Sequence, residues 1–500
     1  MSNEFSFYVS KTIELKNLEK FYCLHGNWSS IIHIAHFKQT DPSFLTERLH
    51  YIIKQLLKKH PKLRSRIRIL RSLSTDIFHP ETHQAYPDEQ HLLDLFEYDE
   101  DLFSRTDILQ NFYSFYQGNE NWMKVAEDLG NKIPYNENLT CIFPLFHLCF
   151  ILNDTNPHLI LLTNHSISDG QSGYIILHDY LTLATQDQCI EWEINRDFAP
   201  NLLELMHKPY RLIYPLFSKI FRYIYAYQMR YFQTTFSAQS TSIISPNHQF
   251  PYIQPKRTNF LFTSCSKDHY ERFRQICHEH NLTLHGPLFA CLALAIHHSF
   301  FSQMDNNLHT VDIFIDYNMR SRLSSNKPLE DTVGYYVAGN GIDLSSTSLS
   351  TKFWIFADYC SKETRRKLSI GELQLNTFGF ADILDDKNNF FYSVGKSPDG
   401  VIAEMNYSNL GKYTYDIKQY KNIHLDGIHL VNSNSIYHTS SIVYLTCVQQ
   451  IDLSLAHRFT DLEKAEEFFN SYKYLIELSI DFHRDMTLRD VLNLLKTKTY

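Results

Sequence analysis

The amino-acid sequence predicts an α/β protein made of two lobes. Apolar runs of strand length and amphipathic runs of helix length occur on both sides of residues 233–257, a segment rich in Ser, Thr, Gln and Pro that has no apolar periodicity. The chain has 500 residues, of which 43% are hydrophobic, enough for more than one core. We therefore predict an N-terminal lobe at 1–232, a linker at 233–257 and a C-terminal lobe at 258–500.

Apolar spacing predicts the elements of the N-terminal lobe. Residues 42–58 have helical periodicity and are followed by a strand-like run at 63–70. Residues 90–101 carry many carboxylates, which predicts a solvated segment. The apolar runs 144–152 and 158–165 are separated by Asn-Asp-Thr-Asn-Pro, which predicts a β-hairpin.

The C-terminal lobe combines helices and strands in the same way. A strand at 259–265 precedes an amphipathic helix at 266–281 and an apolar helix at 285–300, and the box Thr460-Asp461-Leu462-Glu463 predicts the start of a long helix. A shorter helix begins near Thr487. Further strand-like runs lie at 310–319, 333–338, 401–407 and 438–448.

Composition excludes several classes of function. The net charge is −8, so the chain lacks the overall basic field that nucleic-acid binding requires. No basic stretch followed by an apolar one begins the chain, and no apolar run is long enough to span a bilayer. The nine cysteines include no C-x-x-C pair, which favours reduced thiols in a cytoplasmic protein.

The segment with the clearest chemistry follows the second run of the hairpin. His165 stands at the predicted strand end, Asp169 comes four residues later and Gly170 is next, before a helical stretch. A neutral imidazole can accept a proton at physiological pH, so His165 is a candidate general base. Asp169 either orients that ring or pairs with a cation and holds the loop. H-x-x-x-D-G also arises by chance, so other residues must support it.

Further motifs occur in a fixed order along the chain. They are Leu18-Glu19-Lys20, Lys59-His60-Pro61-Lys62-Leu63-Arg64, the His165 motif, Thr283-Leu284-His285-Gly286-Pro287-Leu288, Asp316-Tyr317-Asn318-Met319-Arg320-Ser321-Arg322-Leu323, Val333-Gly334-Tyr335-Tyr336 and Tyr407-Ser408-Asn409-Leu410-Gly411-Lys412. In this order they resemble the condensation-domain and BAHD-type acyltransferases. The nearest resemblance is to alcohol O-acetyltransferases and polyketide-synthase-associated acyltransferases.

The resemblance implies two chloramphenicol-acetyltransferase-like lobes, each a mixed sheet with packed helices, and an active-site tunnel between them. It implies that His165 deprotonates the acceptor, that Asp169 is structural and pairs with Arg320, and that Gly170 lets the loop approach the thioester. Ser408, Asn409 and Gly411 would line the tunnel and bind substrate; a backbone N–H there or at Gly170 would face the oxyanion.

Two departures from the family favour O-acylation. Asn164 stands where many peptide-forming condensation domains have a second His, and S-N-L-G replaces the plant-type D-F-G-W-G. The leading interpretation is transfer from acyl-CoA, as co-substrate, to an alcohol hydroxyl. The alternatives are an amide-forming or carrier-protein-dependent enzyme, and an inactive relative that binds a partner or lipid.

We expect no bound cofactor and no metal, since His278, His280, His297 and His298 have no carboxylate or thiolate at ligand spacing. The expected partners are an acyl thioester and a small or lipidic alcohol, and the protein is expected to be a monomer. The aromatic and basic segment 209–232 fits either an interfacial helix that touches membrane or a helix that crosses between the lobes.

Overall fold

The structure, a computed structural model, describes most of the chain. The described ranges are 8–23, 29–78, 85–132, 141–206, 257–301, 306–311, 313–325, 328–344, 347–369, 403–433, 439–459 and 461–496, with a few single positions at 209–220 and 373–378. The predicted linker, apart from Arg257, and nearly all of 209–232 lie outside the described residues, so the lobe boundaries and the role of that segment stay predictions.

The part of the chain that the structure describes contains fifteen strands. They are β1 (Val9–Glu14), β2 (Ser30–Phe37), β3 (Ser65–Phe78), β4 (Ala85–Phe96), β5 (Tyr113–Gln117), β6 (Cys141–Ile142), β7 (Phe146–Leu152), β8 (His158–Asn164), β9 (Asn259–Cys265), β10 (Ile313–Asn318), β11 (Val337–Ile342), β12 (Ala403–Lys412), β13 (Leu425–Asn432), β14 (Thr439–Cys447) and β15 (Ile451–His457).

The helices connect and cover these strands. They are α1 (Asn17–Phe21), α2 (Ser43–Thr46), α3 (Leu49–Lys59), α4 (Thr106–Leu109), α5 (Trp122–Gly130), α6 (Gly170–Thr185), α7 (Leu202–Leu205), α8 (Lys267–Glu279), α9 (His285–Phe300), α10 (Phe353–Ser369), α11 (Leu462–Leu478) and α12 (Leu488–Lys496). Short 3₁₀ turns lie at Pro61–Arg64, Leu102–Ser104, Gln110–Phe112, Arg320–Arg322, Ile417–Tyr420 and Ser479–Asp481. In the ranges described, no helix is both long and apolar enough to cross a bilayer.

Two mixed sheets form the body of the molecule. The first sheet has the order β13-β2-β8-β7-β5, and the second has the order β11-β10-β12-β14-β15-β9. A smaller sheet, β1-β4-β3-β6, lies beside the first. The predicted α/β class is confirmed. The sequence did not predict that β13, from the C-terminal half, pairs antiparallel with β2 and so joins the first sheet.

Several predicted elements are confirmed, but the predicted strand 333–338 is a strand only from Val337 onward, in β11, and two further predictions need correction. The hairpin is β7 and β8, which pair antiparallel. The acidic segment 90–101 is not simply solvated: its first part belongs to β4, where buried Asp94 accepts hydrogen bonds from Arg66 and Arg68. The cap of α11 is Asp461, whose side chain accepts from the Lys464 N–H, whereas the prediction began the box one residue earlier.

The two large sheets pack against each other through an apolar layer. Side chains of Ile32 and Ile160 from the first sheet share one buried cluster with Ile442 and Ala456 from the second. Burial of apolar side chains contributes about 25 cal/mol per Å² of area removed from water. This layer therefore stabilises the contact between the halves of the chain.

A chain of histidines also links the sheets. His429 Nε2 lies 3.1 Å from the Thr263 carbonyl and donates to it, and His429 Nδ1 lies 2.7 Å from His36 Nε2. His36 Nδ1 in turn lies 3.0 Å from His158 Nδ1. Burial lowers the pKa of His36 and also that of His158, the latter to about 4, so these two rings are neutral at physiological pH.

Helix α6 packs on β2 at a glycine. A Cβ at Gly173 would overlap the ring of buried His33, which donates from Nε2 to the Gly170 carbonyl at 2.8 Å. The small residue thus sets the distance between α6 and the first sheet. This contact fixes the position of the helix that begins at the H-x-x-x-D-G motif.

We expect Gly173→Ala to lower the free energy of unfolding by about 1–3 kcal/mol, because overpacking outweighs the better helix propensity of alanine. Urea denaturation measures the change. The matched control is Gly341→Ala, at an exposed glycine with nothing within 4 Å of the added carbon, where the change should stay within about 0.5 kcal/mol. Equal effects at the two positions would contradict the close contact.

Candidate active site

The loop that carries His165 is held by its own hydrogen bonds. The Asn164 side-chain oxygen accepts from the Ser166 N–H at 2.9 Å, and the Ser168 hydroxyl donates to Thr163 Oγ1 at 2.5 Å. The His165 N–H donates to the Ser29 carbonyl at 3.0 Å. Asn164, which replaces the second His of many condensation domains, therefore has a structural use as the residue that closes the turn.

The imidazole of His165 has a defined tautomer. Its Nδ1 lies 2.9 Å from the Ser168 carbonyl oxygen, and a carbonyl can only accept, so Nδ1 carries the hydrogen. Nε2 then holds a lone pair, and within the part of the chain that the structure describes no protein group hydrogen-bonds to it. The residue is half-buried.

Two tyrosines flank this ring. Tyr22 stacks on His165 with the ring centroids 3.9 Å apart and the planes 20° apart, and Tyr335 lies 5.3 Å away. The two tyrosine hydroxyls are 3.3 Å apart. Burial lowers the pKa of His165 to about 4, although the Ser168 carbonyl and the charge of Asp169 act in the opposite direction. The ring is therefore neutral at physiological pH.

Asp169 does not orient the His165 ring; it pairs with Arg320. Arg320 donates from both terminal nitrogens, at 2.8 and 3.0 Å, and both side chains are almost fully buried. The carboxylate also accepts from the N–H of Ser172, as the cap of α6, and of Tyr336. Burial alone would raise the pKa of Asp169, but the charge of Arg320 and these hydrogen bonds hold it below the usual value.

Arg320 connects this pair to the backbone around it. It donates to the carbonyls of Thr332 and Gly334 at 3.1 and 3.2 Å, and its guanidinium lies 4.9 Å from the centre of the Tyr336 ring. The motif of the first half and two motifs of the second half thus meet at one ion pair. This accounts for their presence at such distant positions in the chain.

Gly170 marks the place where the loop reaches β12. A Cβ at Gly170 would come within 2.9 Å of the Leu410 side chain. Leu410 also packs against the apolar layer between the sheets. The loop carrying His165 therefore meets the S-N-L-G strand directly, as the motif order suggested.

The three predicted substrate-binding residues of β12 lie in different environments. Ser408 is buried, whereas Asn409 is half-buried and approaches His285 Nδ1 at 3.5 Å, on the α9 side of the strand. Gly411 has a φ of +69° at a bulge, and its N–H is bound by the Asn409 oxygen at 2.9 Å. That N–H is therefore not an oxyanion donor here.

The sequence predicted no role for Tyr22 and Tyr335, which contact His165, or for Asp316, whose charge acts on both tyrosines. Tyr335 and Asp316 belong to two of the ordered motifs, but nothing in their spacing distinguishes them from framework residues. Tyr22 follows the opening motif by two residues. Only the pairing of distant segments brings these side chains to one place.

No group of three or more His, Cys, Asp or Glu side chains in the described ranges is arranged to hold a metal ion.

Solved structures share this fold over nearly the whole chain. TRI3 trichothecene 15-O-acetyltransferase from Fusarium sporotrichioides matches with a TM-score of 0.65 at 9% identity, covering 94% of this chain and 97% of that one. Polyketide synthase associated protein 5 from Mycobacterium tuberculosis matches with a TM-score of 0.57 at 14% identity, covering 94% and 99%. The condensation domain from Monacolin K polyketide synthase MokA matches with a TM-score of 0.59 at 10% identity, covering 96% and 99%.

These likenesses confirm the predicted fold, the two-lobed architecture of condensation domains and chloramphenicol-acetyltransferase-like enzymes. No curated protein matches the chain by sequence. The family model for alcohol acetyltransferases matches residues 108–396, which is more than half of the chain. The protein therefore belongs to the alcohol acetyltransferase family and is an acyltransferase.

Proposed function

We propose that the protein transfers an acyl group from acyl-CoA to the hydroxyl of a small or lipidic alcohol, with His165 as the general base. The observation that carries this proposal is the fixed tautomer of His165, which leaves Nε2 unprotonated on a half-buried residue whose loop meets β12 at Gly170. Family membership supports acyl transfer to an alcohol. The cysteine pattern supports action in the cytoplasm.

The chemistry needs one base and no separate acid. The alcohol proton moves to His165 Nε2 while the alcohol oxygen bonds to the thioester carbonyl carbon. The C–S bond then breaks, and the thiolate takes the proton from Nε2, giving an ester and CoA-SH. Because a thiol pKa is about 8.5, the thiolate leaves readily and accepts a proton from so weakly basic an imidazole.

Asp169 acts in this proposal as a positioning residue. Its charge is committed to Arg320, so the imidazolium that forms transiently at His165 is stabilised chiefly by the Ser168 carbonyl. Because the charged ring is only weakly stabilised, it gives up its proton quickly. This suits a histidine that accepts a proton from the alcohol and then donates it to the thiolate in each turnover.

Amide formation and transfer from a carrier protein are the second candidates, because condensation domains share the fold. An amine panel and a carrier-bound thioester, assayed beside the alcohols, separate these reactions. We propose that the protein acts as a monomer. Peripheral membrane contact through 209–232 is a proposal about a segment that lies almost wholly outside the described residues.

We expect His165→Ala and His165→Gln to lower kcat/KM by about 10²–10⁴, because general-base help is lost. Ester formation from acetyl-CoA and a panel of primary alcohols, followed by chromatography, measures this. The control is His424→Gln, at an exposed histidine before β13, which should leave the rate unchanged. Retained activity in both His165 variants, with unchanged unfolding, would sink the assignment.

The acid limb of the pH profile should lie near pH 4. A base with a pKa of about 4 is about 97% neutral at pH 5.5, whereas an ordinary imidazole would be only about 10% neutral. We therefore expect kcat/KM to hold nearly constant from pH 7 down to pH 5.5. Assay after return to pH 7 controls for unfolding, and a limb centred near 6.5 would contradict the low pKa.

We expect Arg320→Met to lower the free energy of unfolding by about 3–5 kcal/mol, since Asp169 is left buried without its cation. The control is Arg257→Met, at a largely exposed pair with Glu127 and Asp128, with a loss of at most about 1 kcal/mol. Denaturant unfolding measures both.

The sign of the pH dependence sharpens this test. Without Arg320, burial raises the folded-state pKa of Asp169 above its unfolded value, so the folded protein binds more protons and the loss shrinks as pH falls from 8 to 5.5. Asp169→Asn combined with Arg320→Met should recover part of the stability. A loss that is independent of pH would argue against a charged, orphaned carboxylate.

A further inference from the structure

We propose that Asp316, together with Asn406 and Ser408, binds a second hydroxyl group of the acceptor, so that the enzyme selects alcohols that carry a hydroxyl next to the reacting one. This rests on the proposed function and names the acceptor class for the same site. The three residues are called the acceptor cluster below.

The register of the strands places the acceptor cluster on one face. Along β10, Ile313 and Ile315 are buried in the core that also contains side chains of α9 and α11, whereas Phe314 and Asp316 alternate with them and are half-buried. Strand β12 runs parallel to β10 with Phe314 beside Asn406. The next residues of the same face are therefore Asp316 on β10 and Ser408 on β12.

That face is turned towards the His165 loop. Two residues beyond Ser408 on β12, Leu410 meets Gly170. Beside Ser408 on the next strand, Tyr444 packs in the layer between the two sheets. The acceptor cluster thus lies on the side of the second sheet that faces the first.

The polar atoms of the acceptor cluster are only partly satisfied. Asn406 Nδ2 donates to the two Asp316 oxygens at 3.1 and 3.2 Å, and Ser408 lies close enough to lower the pKa of the carboxyl group. Asn406 is 2% exposed, and its Oδ1 has no partner among the described residues. A buried acceptor atom without a donor is costly, which a ligand hydroxyl would correct.

Asp316 and His165 both interact with Tyr22 and Tyr335. The charge of Asp316 raises the pKa of both Tyr22 and Tyr335, so the carboxyl group lies within electrostatic range of their hydroxyls. Tyr22 stacks directly on His165. On the proposed binding mode, the reacting hydroxyl of the acceptor lies at His165 Nε2 and its neighbouring hydroxyl lies at the Asp316 carboxyl group.

The protonation state of Asp316 gives the site its character. Burial raises the pKa of Asp316 to about 7, against the effect of the hydrogen bonds from Asn406 and Ser408. The titratable groups that face it, Tyr22, Tyr335 and Tyr444, have pKa values raised by burial and are neutral. A bound acceptor removes more water and favours the neutral acid, which donates its O–H to the acceptor oxygen.

The experiment compares hexanol with its vicinal diol, using acetyl-CoA and the full chain. Asp316→Asn keeps the shape and a donor without the titration, whereas Asp316→Leu removes the hydrogen bond. For the wild type we expect the diol-to-hexanol ratio of kcat/KM to fall as pH rises through 7. In Asp316→Asn the preference should persist without pH dependence, and in Asp316→Leu it should drop on the order of 10-fold at every pH.

The readout is the diol-to-hexanol ratio within each variant, because a change that affects both alcohols equally leaves this ratio unaltered. Asp268→Asn, at an exposed carboxylate in α8, is the matched control. If Asp316 only braced β10 against β12, both alcohols would lose rate equally in Asp316→Leu, and that result overturns the proposal. A wild-type ratio of one overturns it as well.

Calorimetric titration of the same alcohols separates this inference from the proposed function. Tighter binding of the diol by the wild type, lost in Asp316→Leu, supports the acceptor cluster even if no ester forms; failure to form an ester with any alcohol then counts against the proposed reaction alone. Equal binding of the two alcohols by wild type and variant overturns the acceptor cluster whether or not esters form.

Discussion

The buried ion pair between Asp169 and Arg320 joins segments that lie 151 residues apart in the chain. Removing two charges from water costs several kcal/mol per ion, and only good geometry and further hydrogen bonds offset that cost. Here the carboxylate receives a bidentate contact and two backbone N–H groups, and the guanidinium reaches two carbonyls. The pair therefore fixes the start of α6, the turn after β10 and the approach to β11 relative to one another.

Because Asp169 is paired with Arg320, the orientation of the His165 ring depends on a backbone group, the Ser168 carbonyl. In a Ser-His-Asp triad a carboxylate both orients the imidazole and stabilises its charged form. In this protein the Ser168 carbonyl orients the ring and stabilises its charged form less than burial disfavours it, so the pKa of His165 falls to about 4. The proposed mechanism thus separates a residue that holds the loop, Asp169, from a residue that exchanges protons, His165. On that mechanism a thioester tolerates so weak a base because its thiolate leaving group is stable.

How far the sequence could predict this arrangement differs from residue to residue. The hairpin β7–β8 follows from local apolar runs, and Arg320 was assigned to Asp169 through the family's motif order. The exchange of β13 into the first sheet could not be predicted, because antiparallel pairing with β2 is a contact between distant segments that leaves no local pattern. Asp94 was misjudged for a similar reason: its arginine partners lie on β3, and composition alone cannot show that a carboxylate is paired.

The same limit applies to the site. Asn409 belongs to a motif that resembles the tunnel wall, yet period-two alternation and the bulge at Gly411 direct it towards His285, while Leu410 meets Gly170. Which face a strand presents depends on its neighbours rather than on its own residues. The proposed role of Asp316 could not be predicted for the same reason. Its position four residues before Arg320 does not reveal that β12 lies beside β10.

The contact between the sheets combines an apolar layer with hydrogen-bonded polar groups. Burial lowers the pKa of His36 and His158 and raises the pKa of Tyr22 and Tyr335, so these four groups are neutral. In such surroundings the effective dielectric is low, so a hydrogen bond or a developing charge has a larger effect than in water. The proposed base, His165, and the proposed acid, Asp316, can then both be neutral at the same pH, because burial lowers the pKa of an imidazole and raises that of a carboxyl group. The packing that joins the halves of the chain therefore also sets the protonation states on which the proposed chemistry depends.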